Sequence, residues 1–339
     1  MSKKVFLFCS DIPSFIGQNK WDYITPFERL WKKCDTLVYN QLVNELSDNV
    51  AQSSNTIRGM EGDLATLHQR LENKEITVAE YKVAEKKVAE QRKVHEKMST
   101  QLENTVTMQK EKLINAVGEE LVSTVIKEPT QDKRVLIKQA IDNNAQLSDM
   151  KKKELIKEAE SFVNKSHGTL RESDAIQMFQ DQFNVQLDTS QRFFCKRLNV
   201  VDDIEWYIGG KLDGIHPDNQ YIVEVKNRTK TFFNSLRDYE KTQIYLYMYL
   251  TDIYEAKLVE KLKSKIRVTH IIYDQSYLHQ ILDLVVLFLQ KFQKGFLSNL
   301  QAKKDYLLFT QSQKKTYISS LFTHTYEDVS VDCLINDLD

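Results

Sequence analysis

Glycine and proline are scarce in this chain, with 9 and 4 among its 339 residues. So few helix breakers exclude a chain made mainly of tight turns and argue for long, uninterrupted helices. Cysteine is scarce too. Cys9, Cys34, Cys195 and Cys333 lie far apart, and no two have the spacing of a zinc site or a redox pair. They read as reduced thiols, buried or on the surface. An excess of one charge is also missing: 47 Lys and Arg stand against 48 Asp and Glu, a formal net charge of −1. Attraction of the whole molecule to nucleic acid is therefore excluded, and any such contact must come from a local patch. No apolar run approaches the roughly 18 residues of a membrane helix, and no charged-then-apolar leader opens the sequence. The expectation is a soluble, intracellular protein with no membrane partner.

What is present divides into three stretches. Residues 1 to 46 are rich in apolar and aromatic residues. There Ser10 with Asp11 can cap a short helix that ends near Gly17, and Thr25-Pro26-Phe27-Glu28 opens a second. Residues 47 to 164 are dominated by Lys, Glu and Gln. Met60, Leu64, Leu67 and Leu71 form one helical stripe. Thr77 with Glu80 is a capping-box pattern, and Tyr81, Ala84, Val88, His95, Met98 and Leu102 continue a stripe in which Gln91 is a polar member. A long antiparallel helical hairpin is expected. It is either an arm that grips a partner protein or a second copy, or a helical insertion with a solvated, charged face.

After residue 165 the period changes. An amphipathic helix carries Ala175, Ile176 and Phe179, and residues 190 to 198, 204 to 213 and 221 to 227 read as strands. "LRDYEKTQIYLYMYLTDI" and "SYLHQILDLVVLFLQKFQKGF" read as helices, and "KIRVTHIIYD" as another strand. The expected fold class is α+β: a small mixed sheet flanked by helices, made from residues 1–46 and 165–339, with residues 47–164 as a coiled-coil-like insertion.

The stretch "GGKLDGIHPDNQYIVEVKNR", residues 209 to 228, carries the chemistry. Glu224 and Lys226 are two apart on a strand and share a face. A hairpin-like pairing would bring Asp213 beside them. Two carboxylates on short strands are ordinary oxygen ligands for Mg²⁺ or Mn²⁺, to which the Val225 carbonyl could add. Lys226 could then orient a water, help deprotonate it or stabilise charge on a phosphate. The competing reading is a surface hairpin with a cross-strand ion pair of ~0.2–1 kcal/mol. It is disfavoured because Glu224 and Lys226 lie within "YIVEVKN", among residues expected to be buried.

"GKLDGI" followed by "YIVEVKNR" resembles the active-site core of the PD-(D/E)xK nuclease superfamily, and more narrowly its lambda-exonuclease, YqaJ-like viral recombinase branch. "CSDIPSFIGQNKWDYITPFERLWKK", "HGTLRESDAIQMF" and "QIYLY" are similar to other segments of that branch, in the same order. The resemblance implies a restriction-endonuclease-like core and a metal-dependent DNA exonuclease that works on double-stranded ends, 5′ to 3′, in recombination or replication-linked processing. A structure-specific endonuclease and a DNA-binding module without activity are the alternatives. It implies that Glu172 completes the ligand set of Asp213 and Glu224. Gln243 would hold Lys226 or the scissile phosphate, and Ser10, Asp11 and Tyr247 would lie near the DNA. The branch usually carries Arg and Trp before its Ser-Asp pair, whereas Lys3 and Lys4 are the only basic residues before Ser10 here. Arg171, Arg192, Arg197 or Arg228 could take over the 5′ phosphate. His167 and His216 read as ordinary loop histidines, since a carboxylate site needs no imidazole.

Overall fold

The computed structural model describes residues 3–106, 109–127, 131–170, 172–201, 203–229 and 231–322. It is a mixed α+β structure in two compact units. One comprises the chain up to Cys34, Asn164–Asn299 and the segment from Ser312; the other comprises Asp35–Val163 and Leu300–Gln311. The helix Thr36–Glu72 spans the 46/47 division expected from the sequence, and the helix Asp149–Leu170 spans that at 164/165. No helix among the described residues is long and apolar enough to cross a membrane. Cys9, Cys34 and Cys195 form no disulfide, and Cys333 lies outside the described residues.

The first unit holds two small mixed sheets where the sequence suggested one. Strands β1 (Lys3–Phe8), β2 (Phe193–Val201) and β3 (Ile204–Lys211) form a sheet of order β1-β3-β2. β1 is parallel to β3, and β2 is antiparallel to it. Strands β4 (Gly214–Ile215), β5 (Ile222–Asn227), β6 (Glu255–Leu262) and β7 (Lys265–Ile272) form the other, in that order. Here β5 and β6 are parallel, and β4 and β7 are antiparallel to their neighbours.

Alternation explains the first sheet. Val5, Leu7, Trp206 and Ile208 are buried on one face, while Lys4, Phe6, Phe8 and Tyr207 are not. β1 and β6 are strands that the sequence reading missed. β6 reads "EAKLVEKL", whose Lys and Glu suit a helix, yet Glu260 and Lys261 are buried. They can be buried because Glu260 accepts from Arg228 and Arg267, and Lys261 pairs with Asp174 at 3.3 Å. Aromatic stacking consolidates the helices: Phe15 lies 4.9 Å from Phe288, and Trp31 is edge-on to Phe296 at 5.0 Å.

The second unit opens with a helical hairpin, Thr36–Glu72 and Val78–Val106. The capping box at its turn is formed: Thr77 N–H donates to Glu80 Oε2 at 2.7 Å, and Glu80 N–H donates to Thr77 Oγ1 at 3.3 Å. Gln91, the polar member of the stripe, donates to buried Ser53 across the hairpin at 3.3 Å. Further helices, Gln109–Val117, Glu119–Lys127, Gln131–Asn143 and Asp149–Leu170, follow in this region. Gly118, with φ of 90°, divides the first two as only glycine does without strain. Leu113, Val122, Val125, Ile137, Ile141 and Leu155 form a fully enclosed apolar cluster among them. Ile141→Ala should destabilise this unit by ~2–5 kcal/mol in denaturant titration. A loss below ~1 kcal/mol would mean that the cluster is not packed as a core.

Candidate active site

β3 leaves the first sheet at Lys211, and the chain crosses to the second through Leu212 and Asp213. Gly214 then pairs with Val223, so close to Leu187 that a Cβ at 214 would lie 2.9 Å from its Cδ1. Asp213 is thus fixed at the point where the sheets part, and its Oδ2 accepts the Val225 N–H at 2.7 Å. The pleat of β5 divides its side chains. Val223 and Val225 join a cluster with Ala175, Phe179, Leu187 and Val259. Glu224 and Lys226 take the opposite face.

Glu224 is buried, and Lys226 Nζ donates to its Oε1 at 2.6 Å. The same ammonium donates to Gln243 Oε1 at 3.2 Å, and Gln243 Nε2 donates to the Tyr247 hydroxyl at 3.1 Å. Gln243 and Tyr247 are one turn apart on the helix Asp238–Thr251. The Tyr247 ring presses on β3, where a Cβ at Gly210 would lie 2.6 Å from its Cε1. Glu172 opens the helix Glu172–Phe183, which packs Ala175 and Phe179 on the valine face. Its carboxylate interacts electrostatically with Asp213, Lys226 and Glu224.

All three acids are harder to ionise than usual, and burial is the first reason for each. It lifts Glu224 to about 8, helped by the charges of Asp213 and Glu172 and opposed by Lys226. It raises Asp213 against the pull of Lys226, the Val225 N–H and a hydrogen bond with Glu224. It raises Glu172, to which Asp213 adds. Burial pulls the Lys226 ammonium down, but Glu224, Asp213 and Glu240 outweigh it, so that it holds its proton more firmly than usual.

Among the described residues, no group of three His, Cys, Asp or Glu side chains is placed to hold a metal ion. The donor chemistry nevertheless fits a hard divalent cation. The charge of Asp213 adds to burial in raising Glu224, a repulsion that a cation would relieve. Mg²⁺ and Mn²⁺ keep several waters, so that they need few carboxylate oxygens from a protein.

The proposed DNA contacts are spread more widely. Ser10 is exposed in the turn after β1, and Asp11 pairs with Arg29 at 3.4 Å. Tyr247 is buried in the wall of the site. Arg228 is engaged in an ion-pair network. Its Nη1 and Nη2 donate to Glu240 at 2.7 and 2.9 Å and its Nε to Glu260 at 2.7 Å, in a nearly buried network. Arg192 pairs with Asp188 at 2.7 Å, while Arg197 is exposed on β2. Arg171 lies outside the described residues, and nothing is described of the His167 side chain. His216 Nδ1 accepts the Asp218 N–H at 3.2 Å within its own turn. Sequence reasoning missed Cys9, a buried thiol raised well above its ordinary value by burial and by the Glu224 charge. It also missed Glu240 and Glu260, whose distance in sequence from Arg228 gave no signal.

No protein-family model matches the chain, and no curated protein does. Among solved structures, it is loosely similar to a protein described as SSO0001, at 15% identity and a TM-score of 0.29 over 52% of this chain and 83% of that one. It is also loosely similar to an alkaline exonuclease, LHK-Exo, from Laribacter hongkongensis, at 13% identity and a TM-score of 0.30, over 61% of this chain and 98% of that one. The complex of LHK-Exo with dAMP gives 14% and 0.28 over the same shares. TM-scores of this size establish neither a fold nor a function for this chain.

The acids have a consequence for stability. Glu224 keeps its proton in the folded chain to about pH 8 but releases it near its ordinary 4.5 once unfolded. The metal-free fold should therefore lose stability as pH rises between those values, with Asp213 and Glu172 acting in the same sense. Thermal melts in chelator should show this decline, on the order of a few kcal/mol across the window, and Glu224→Gln should flatten it. An unchanged slope in Glu224→Gln would show that Glu224 ionises freely in the fold.

Proposed function

We propose that this chain is a metal-dependent nuclease that hydrolyses phosphodiester bonds from duplex DNA ends. The observation that carries the reading is the meeting of Asp213, Glu224 and Lys226 with Gln243, and of Glu172 within electrostatic reach, at one largely buried point. The restriction-endonuclease-like core and the 5′ to 3′ polarity rest on the resemblance of its motifs. Asp213 and Glu224 would hold Mg²⁺ or Mn²⁺, with the Val225 carbonyl and with Glu172 directly or through water. The bound cation would supply Lewis-acid stabilisation of the phosphate and acidify a water.

The chain's own residues supply the rest. Lys226 holds its proton firmly, so at neutral pH it serves as a donor and not as a general base. Its ammonium can hold the lone pair of the attacking water or a non-bridging phosphate oxygen. Glu224 and Gln243 aim that ammonium from two directions, and Tyr247 fixes the amide of Gln243. Desolvation strengthens each of these contacts in the transition state, where the extra negative charge develops.

Release of nucleotides from linear and from circular duplex DNA tests the reading, with Mg²⁺ or Mn²⁺ and with chelator. Metal-dependent release from the linear form alone is expected. Nicking of circles would favour an endonuclease. Asp213→Ala and Glu224→Ala should each lower the rate by about 10²-fold or more with the fold intact by circular dichroism. Lys226→Ala should stop turnover but keep Mn²⁺ binding, and Glu172→Gln should cut the rate and spare duplex binding. Full activity in Glu224→Ala, purified away from host enzymes, would sink the proposal.

A further inference from the structure

The sheet β1-β3-β2 has a second face, opposite its buried one. Register places Phe6 beside Tyr207, Phe8 beside Gly209 and Lys4 beside Glu205. It places Arg197 beside Tyr207 and Phe193 beside Lys211. Alternation therefore gathers aromatic rings and cations on one surface.

The rings touch. Phe6 lies 5.7 Å from Phe193 and 5.3 Å from Tyr207, and Phe8 lies 6.4 Å from Phe193. Phe193 is nevertheless 45% exposed. It can lie across β3 only because residue 209 is glycine: a Cβ there would be 2.5 Å from its Cζ. An open cleft of about 490 Å³ runs along the rings, and Lys4, Lys33 and Lys211 line it without any carboxylate among its lining residues. Lys33 Nζ sits 4.0 Å above the Phe8 ring. Glu205, an acid of this face, accepts from the Tyr207 hydroxyl at 3.0 Å.

We propose that this aromatic and lysine-lined face binds a short single strand of nucleic acid beside the candidate active site. Rings on an exposed sheet offer stacking surfaces to bases of any identity, and ammonium groups between them suit a phosphodiester backbone. Three lysines without a lining acid would repel the same face of a second copy, so charge favours a polyanion. The position suits the task as well. β3 ends at Lys211, shortly before Asp213, and Cys9 N–H, just past β1, donates to the Gly209 carbonyl at 3.0 Å. A strand on this face would lead to, or away from, the proposed cleavage point. That link to cleavage rests on the nuclease reading; the binding itself does not.

The full chain is titrated, in chelator, into a fluorescein-labelled oligonucleotide of about ten deoxythymidines, and anisotropy is read across a salt series. Phe193→Ala should weaken binding about tenfold with the salt slope unchanged. Phe193→Leu, which keeps apolar bulk but loses the π face, should also weaken it. Lys4→Gln should lower the salt slope by about 0.7. Absence of binding by the unaltered chain, or unchanged affinity in both Phe193 variants, would overturn the proposal. So would a Phe193→Ala chain that sediments differently while holding the oligonucleotide as before, since the face would then join protein chains. Phe193-dependent binding in a chain without nuclease activity would overturn the nuclease reading and uphold this one. Metal-dependent cleavage without strand binding would do the reverse.

Discussion

A charge cannot be taken out of water without a partner, and β5 takes several. The strand is buried between β4 and β6, yet it carries Glu224 and Lys226 and delivers Arg228 just past its end. An uncompensated charge there would cost several kcal/mol. Neighbouring elements are constrained accordingly. The helix Asp238–Thr251 must turn Glu240 and Gln243, one turn apart, toward β5. β6 must bring Glu260 to Arg228, which it does from the register position opposite Lys226. The positions of that helix and of that strand follow from where β5 has put its charges.

The two faces of β5 divide the labour. Its valines hold the helix Glu172–Phe183, while its acid and lysine hold the helix Asp238–Thr251. Glu172 reaches the site from the end of the first helix and Gln243 from the middle of the second. Burial outranks mutual repulsion as the reason that the three acids resist ionisation. For these acids desolvation thus weighs more than crowding, and desolvation is the condition under which fixed dipoles and charges act most strongly.

Much of the site is legible in the sequence because its spacing is local. Glu224 and Lys226 share a face by the period of a strand, and Gln243 and Tyr247 by that of a helix. Asp213 is legible as a neighbour and Asp213-Gly214 as a turn signal, but not its place at the seam between two sheets, because nothing local says that the chain changes sheet there. β6 is hidden by its charged residues, which look solvent-facing until their partners are known. The partners of Arg228 are hidden for the same reason: only long-range contacts reveal Glu240 and Glu260. The helical hairpin is legible down to its capping box, since stripes and caps are written in adjacent turns.

The contact between Gly210 and Tyr247 reaches further than packing. Residue 210 can carry no methyl group while the ring at 247 stays in place. A chain with alanine at 210 would have to give up or displace that ring, and the Tyr247 hydroxyl would leave the amide of Gln243. Lys226 would then lose one of its two guides. The two positions are thus tied as a pair, free to vary only together, and an alteration as small as one carbon atom on β3 is passed through a ring and an amide to the ammonium group.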